Sequence, residues 1–244
     1  MKEKTLSSEN SAYSALLKQT AQYAQAYIKA IHDQTPFPGE KEIQALERFN
    51  EELPEHATEA SEVIKELSEI GALGTTAENG GRFFGFVNGG LLPVAHAAQW
   101  LADTWNQNSA LYVMSPVASK LEAVCERWVV QLLGLEPQTA MGLVTGSSNA
   151  IICALAAARN EMLKRQGYDV AEKGLRNAPP LRIVISEDAH SSVKAALSVL
   201  GFGSAEVELI PTDKQGRIKI AAMAELDERT ILILQAGNVN GGQL

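Results

Sequence analysis

The sequence predicts an α/β fold with a mainly parallel sheet, preceded by a helical arm. Three observations predict it. Between Gly142 and Gln235, short apolar runs alternate with helical patterns. Three of those runs finish in loops of small or polar residues. Before Gly71 the chain shows helical periodicity and no strand pattern. Such alternation implies right-handed crossovers and parallel pairing.

In chain order, Leu16, Leu17, Tyr23, Ala24, Tyr27, Ile28 and Ile31 mark one side of a helix over residues 8–35, stopped by Pro36, Pro38 and Gly39. Helices follow over Glu40–Asn50 and His56–Ile70. Residues 71–95 are glycine-rich and enclose Arg82-Phe83-Phe84-Gly85-Phe86-Val87-Asn88. The three phenylalanines are either a hydrophobic plug or the wall of a substrate pocket. A helix over 93–105 carries Trp100 and Trp105. From Pro116, the residues Val117, Leu121, Val124, Cys125, Trp128, Val129, Leu132 and Leu133 mark the face of a helix ended at Gly134. Then come a strand over Gly142–Thr145, an alanine-rich helix over Asn149–Arg165, a strand over Arg182–Ser186 and a helix over 191–200. A strand over Glu206–Ile210, a turn at Asp213–Gly216, a helix near 219–228 and a strand over Ile231–Gln235 complete the pattern. Residues 1–92 read as the arm with its Gly/Phe-rich loop, and 93–244 as the larger α/β part.

A formal net charge of −8 argues against a nucleic-acid backbone as partner. No apolar run approaches the roughly 20 residues that span a bilayer, and no signal-peptide pattern opens the chain, so a cytoplasmic location is expected. Cys125 and Cys153 form neither a disulfide framework nor a metal knuckle and read as buried free thiols. No metal site is expected.

Open α/β sheets bind ligands outside the carboxyl ends of their strands. The first post-strand loop, Thr145-Gly146-Ser147-Ser148-Asn149, leads into a helix. Hydroxyls and amides there make either an anion site or a simple helix cap. The second, Ser186-Glu187-Asp188-Ala189-His190-Ser191-Ser192, places an imidazole at a strand end, as a platform for a flat ring or as a helix cap. The third, Ala236-Gly237-Asn238-Val239-Asn240-Gly241-Gly242, is a hydrogen-bonding turn. The chain has no G-x-G-x-x-G after a strand, no P-loop, no H-E-x-x-H and no G-x-S-x-G. An anion cup with a flat platform, lacking dinucleotide glycines, points to a phosphorylated planar cofactor.

Taken together, the Phe-rich segment, Ser115-Pro116 with Leu121-Glu122, Thr145–Asn149 running on to Ala156-Ala157-Ala158-Arg159, Asp188-Ala189-His190-Ser191-Ser192 and Ala236–Asn240 resemble the pyridoxal-phosphate-dependent decarboxylase family. That group contains the aromatic amino acid and glutamate decarboxylases, on the aspartate-aminotransferase-like, three-layer fold. The resemblance covers roughly residues 40–244 in order. It implies pyridoxal 5'-phosphate as cofactor, decarboxylation of an L-amino acid and a homodimer. By position, Ser147 and Ser148 would hold the cofactor phosphate. His190 would stack on the pyridine ring and act near the substrate carboxylate. Asn238 would line the cofactor pocket, and Phe83, Phe84 and Phe86 would border the substrate. Asp188 is assigned to helix capping.

The family's Schiff-base lysine and pyridinium aspartate match no residue here. The last lysine, Lys219, is expected in a helix rather than a post-strand loop. These gaps point to a fragment of a longer enzyme, inactive alone. An aminotransferase or cysteine desulfurase of the same fold, or an inactive anion-binding or dimerising module, are the competing readings.

Overall fold

The computed structural model describes residues 2–238 and 240–242; Val239 of the third post-strand loop lies outside them. The chain forms two compact units, Met1–Trp105 and Asn106–Leu244.

In the first unit, α1 spans Lys2–Ala30 and stops before Pro36 and Pro38, as expected. Helix α2, Glu40–Ala45, runs on as a 3-10 turn over Leu46–Phe49. Helix α3, Ala60–Glu66, starts four residues later than His56 would place it and passes into a π turn at Leu67–Gly71 and a 3-10 turn at Ala72–Gly74. Gly74 packs closely there: a Cβ at that position would lie 2.6 Å from the Leu46 methyl groups, so Leu46 would have to shift. Pro93 occupies the first turn of α4, Pro93–Trp105, where its missing N–H costs nothing. An open, largely apolar cavity of about 950 Å³ lies among these helices, with Tyr27, Ile28, Leu67, Leu91 and Trp100 on its walls.

The second unit begins with α5, Pro116–Leu132, capped by the Ser115 hydroxyl, which accepts the Ala118 N–H, and ended by Gly134 in a left-handed conformation (φ 64°). Of the apolar stripe expected along α5, Val124, Cys125 and Val129 are half-buried and the rest is exposed. Val130 is the one buried residue of the helix, while Leu121, Trp128 and Leu132 are exposed. Helices α6, Ser147–Arg165, and α7, Val170–Lys173, precede strand β1, Arg182–Ser186. Helix α8, Ser191–Val199, strand β2, Val207–Ile210, and strand β3, Thr230–Ile233, follow.

Among the described residues the sheet has three strands in the order β2-β1-β3, both pairings parallel as expected. The register sets Ile185 between Leu209 and Ile233. A strand flanked on both sides must be apolar on both faces, and Ile183, Val184 and Ile185 are each at most 2% exposed. Leu155 of α6 and Val193, Ala196 and Leu197 of α8 close over Ile183, Ile185 and Ile231.

At its other end β1 is clasped by Arg182. The guanidinium donates twice to the Glu208 carboxylate of β2, at 2.8 Å each, and also to the Glu225 carbonyl and the Thr230 hydroxyl beside β3. This clasp bears on one correction. The helix expected near 219–228 is only a 3-10 turn at Ile220–Ala222, because Arg182 takes the Glu225 carbonyl and Asp227 folds the chain into a side-chain-bonded turn. Lys219 accordingly sits in the turn after β2, not in a helix. The strand expected at Gly142–Thr145 is absent as well. Among the described residues no neighbour pairs with that segment, which is tied instead to α5 by the Met141 N–H on Glu126, and Leu143 and Val144 stay exposed. Cys125 is half-buried and Cys153 is exposed on α6, so the expected burial fails for Cys153.

Hydrogen bonds from Thr230 and Arg229 hold the Asp227 carboxyl at about 2, below its ordinary 3.8. A carboxylate depressed by folding contributes stability above its unfolded pKa and loses it as the pH falls through the folded value. Thermal melts between about pH 4 and pH 2 should therefore show a shallower decline for Asp227→Asn than for the wild-type chain; parallel declines would contradict the assignment.

Candidate functional site

At the start of α6 the backbone amides of the first turn have no intrahelical acceptor. Gly146 stands at the cap position in extended conformation and no side chain caps the helix. Its first turn carries no acidic residue, and the Ser147 and Ser148 hydroxyls are added to the free amides. The Asn149 amide donates across the entrance to the Thr145 hydroxyl (2.6 Å), which fixes the loop against the helix. This end of α6 is solvent-exposed, and a Cβ at Gly146 would meet nothing within 4 Å. The helix dipole and the donors together favour a phosphate-sized anion.

His190 occupies the cap position of α8. The Ser192 N–H donates to its Nδ1 (3.2 Å), and the Ser192 hydroxyl lies 2.7 Å from the same nitrogen. A backbone N–H can only donate, so Nδ1 is the acceptor and the neutral ring carries its proton on Nε2. The two sequence readings of His190 are therefore compatible: one ring nitrogen caps the helix, while the ring itself is exposed.

The segment that carries His190 is fastened at every amide up to it. The Glu187 N–H donates to the Ile210 carbonyl, extending the β1–β2 ladder, and the Asp188 and Ala189 N–H groups donate to the Ser186 hydroxyl and carbonyl. Asp188 does not cap α8, which corrects the sequence assignment. Its carboxylate meets the Thr212 hydroxyl (2.7 Å) because His190 already serves as the cap. Glu187 accepts the Thr212 N–H and lies 2.8 Å from the Thr212 hydroxyl. The Thr212 backbone N–H, with the Thr212 hydroxyl close by and the charge of Lys219 beyond, holds the Glu187 carboxyl below its ordinary value.

Asn238 follows β3 on the same edge of the sheet, since β3 runs parallel to β1. Its side-chain carbonyl accepts the Asn240 N–H (2.8 Å). Its amide abuts the turn after β2, where Gly216 adopts φ 80° and a Cβ would lie 3.0 Å from Asn238 Nδ2. Helices α6 and α8 share one core, and Arg159 of α6 donates to the Leu200 carbonyl at the end of α8. Ser147, Ser148 and His190 are thus carried by the N-terminal turns of two helices packed together, with Asn238 on a neighbouring strand end. Among the described residues no hydrogen bond joins these four side chains directly.

The three phenylalanines belong to the first unit. Arg82 anchors their loop by donating to the His32 and Gln34 carbonyls, and Asn88 by donating to Glu78. Phe83 is half-buried, whereas Phe84 and Phe86 are 93% and 91% exposed and so do not plug this unit. Phe86 and Val87 adopt left-handed backbone (φ 56° and 59°), a conformation that is costly for a β-branched residue and concentrates at functional loops. Sequence reasoning passed over Thr212, Glu187 and Gly216. Thr212 stands two residues after the end of β2, which is the only local signal that marks it.

The uncapped, hydroxyl-rich start of α6 and the exposed ring of His190 lie toward the carboxyl edge of a parallel α/β sheet, where such folds bind ligands. The pyridoxal-dependent decarboxylase conserved domain matches residues 42–237, and the chain belongs to that family, whose cofactor is pyridoxal phosphate. The glutamate decarboxylase domain of diaminobutyrate-pyruvate transaminase and L-2,4-diaminobutyrate decarboxylase from Vibrio parahaemolyticus is similar in fold, with a TM-score of 0.78 at 20% identity over 86% of this chain and 46% of that one. Mouse CSAD gives 0.75 at 20% identity over 86% and 44%. Oryza sativa TDC, solved with PLP and tryptamine, gives 0.74 at 22% identity over 86% and 44%. The chain thus spans less than half the length of these structures. The donor set at the start of α6 fits the phosphate of this cofactor, and the exposed imidazole fits its ring.

The double duty of His190 separates by substitution. His190→Ala should destabilise the chain by about 1 kcal/mol through loss of the cap, and His190→Asn, a good capping residue, should restore most of that. Denaturant unfolding checks this; equal destabilisation by both would show that the cap is not what the imidazole contributes.

Proposed function

We propose that this chain supplies the phosphate and ring contacts of a pyridoxal-phosphate-dependent amino acid decarboxylase, a carbon–carbon lyase. The observation that carries the reading is the start of α6, where exposed Ser147 and Ser148 stand on an uncapped helix with no acidic side chain in its first turn. Membership of the family adds the identity of the ligand. When bound, the cofactor supplies an electron sink for the pair left as a carboxylate departs. Ser147 and Ser148, with the amides of the first turn, hold its phosphate. His190 covers the ring, its Nε2–H able to meet the substrate carboxylate. Asn238 lines the cofactor pocket beside the turn at Gly216. Phe83, Phe84 and Phe86 border the substrate, the exposure of Phe84 and Phe86 suiting a wall completed by further protein.

Equilibrium dialysis of pyridoxal phosphate against the 244-residue chain tests the reading. Binding should be competed by inorganic phosphate and weakened at least about tenfold by Ser147→Ala with Ser148→Ala, since hydrogen bonds to a charged group contribute roughly 1.5–3 kcal/mol. His190→Asn should weaken it without loss of fold. Borohydride should trap no single lysine; one reducible adduct, at Lys214 or Lys219 of the turn after β2 for instance, would overturn the assignment of noncovalent contacts alone.

The homodimer belongs to the same proposal. Leu121, Trp128 and Leu132 form an exposed apolar stripe on α5, and contiguous apolar surface of this kind marks association. Sedimentation at micromolar concentration should show a dimer or larger species; a strictly monomeric chain would contradict it.

A further inference from the structure

We propose that Thr212 is a positioning residue for His190, holding the loop after β1 so that the imidazole keeps one orientation on the sheet edge. The proposal rests on the reading of His190 as the ring-covering residue. Thr212 is 22 residues away in sequence, yet it reaches the two residues at 187 and 188 at once: its N–H donates to Glu187 Oε1 and its hydroxyl meets Glu187 at 2.8 Å and Asp188 at 2.7 Å. One hydroxyl proton cannot serve two carboxylates. Because Glu187 already holds the backbone N–H, the hydroxyl is free to serve Asp188, and both side chains are satisfied.

Glu187, Asp188 and His190 are all exposed, so packing does little to fix the polar part of this loop. Only Ala189 among them reaches the core. Without Thr212 the segment keeps the Ile210 ladder bond and its local turn, but loses its side-chain tie to the neighbouring strand end. Thr212 itself is well held. It pairs with Ile218, Lys219 N–H donates to the Pro211 carbonyl, and Asp213 accepts from Gln215, from the Arg217 N–H and from its side chain. That same turn abuts Asn238 at Gly216. One rigid turn after β2 therefore touches the loops that follow both β1 and β3.

The test reads the imidazole directly. Long-range nitrogen–proton NMR of the wild-type chain should show His190 as a single neutral form with the proton on Nε2. Thr212→Val, which keeps volume and the backbone N–H but removes the hydroxyl, should return His190 toward the mixed forms of a free imidazole and weaken pyridoxal phosphate binding several-fold. Thr212→Ser should behave as wild type. Because Thr212→Val can also fail to fold, the double change Glu187→Ala with Asp188→Ala, on exposed residues, removes the same tie from the other side and should give the same spectrum as Thr212→Val. Wild-type His190 signals in either altered chain overturn the proposal. The two readings fail separately: cofactor binding unaffected by His190→Asn sinks the ring-covering role, whereas the His190 spectrum alone decides the role of Thr212.

Discussion

The placement of Ser147, Ser148, His190 and Asn238 is indexed to the position of one strand. β1 lies between two parallel partners, is buried on both faces and is fastened at both ends. Arg182 clasps its start to Glu208 and Thr230, and the bonds of Glu187 and Asp188 to Ile210 and Thr212 close its finish. A parallel sheet collects its ligand-binding loops on the carboxyl edge. The strand that cannot slip relative to its neighbours therefore sets where His190 and Asn238 emerge. The core over Ile183 and Ile185 then fixes α6 and α8 on one face, and with them the helix starts that carry Ser147, Ser148 and His190.

Economy at His190 follows from helix chemistry. A helix start needs an acceptor for its free amides. By using Nδ1 for that purpose the chain gains a defined tautomer, with the Ser192 N–H and hydroxyl on that nitrogen. The start of α6 shows the opposite arrangement. There no side chain caps the helix, and Gly146 leaves open space beside its first-turn amides. One helix is capped by the His190 side chain, and the other has no side-chain cap.

The elements legible in the sequence were those whose signal is local. Pro116 with Ser115 before it, Gly134, and the apolar run Ile183-Val184-Ile185 each encode their own geometry, and the structure follows them closely. Residues 219–228 misled because good helix formers there are overridden by a distant guanidinium that takes the Glu225 carbonyl. Leu143 and Val144 read as a strand by composition, but a strand exists only with a partner, and none of the described residues supplies one. Asp188 misled for a similar reason. Its neighbour His190 is an unusual cap, and the true partner, Thr212, lies on another strand end. The stripe on α5 was correctly apolar, yet periodicity reports that a face is apolar and not what covers it.

A crystal structure of this chain soaked with pyridoxal phosphate is the most direct test of the account. The account predicts phosphate oxygens within hydrogen-bond distance of the Ser147 and Ser148 hydroxyls and the first-turn amides of α6, with the pyridine ring lying flat against the His190 imidazole. A phosphate bound elsewhere, or a ring that leaves His190 uncovered, would contradict it.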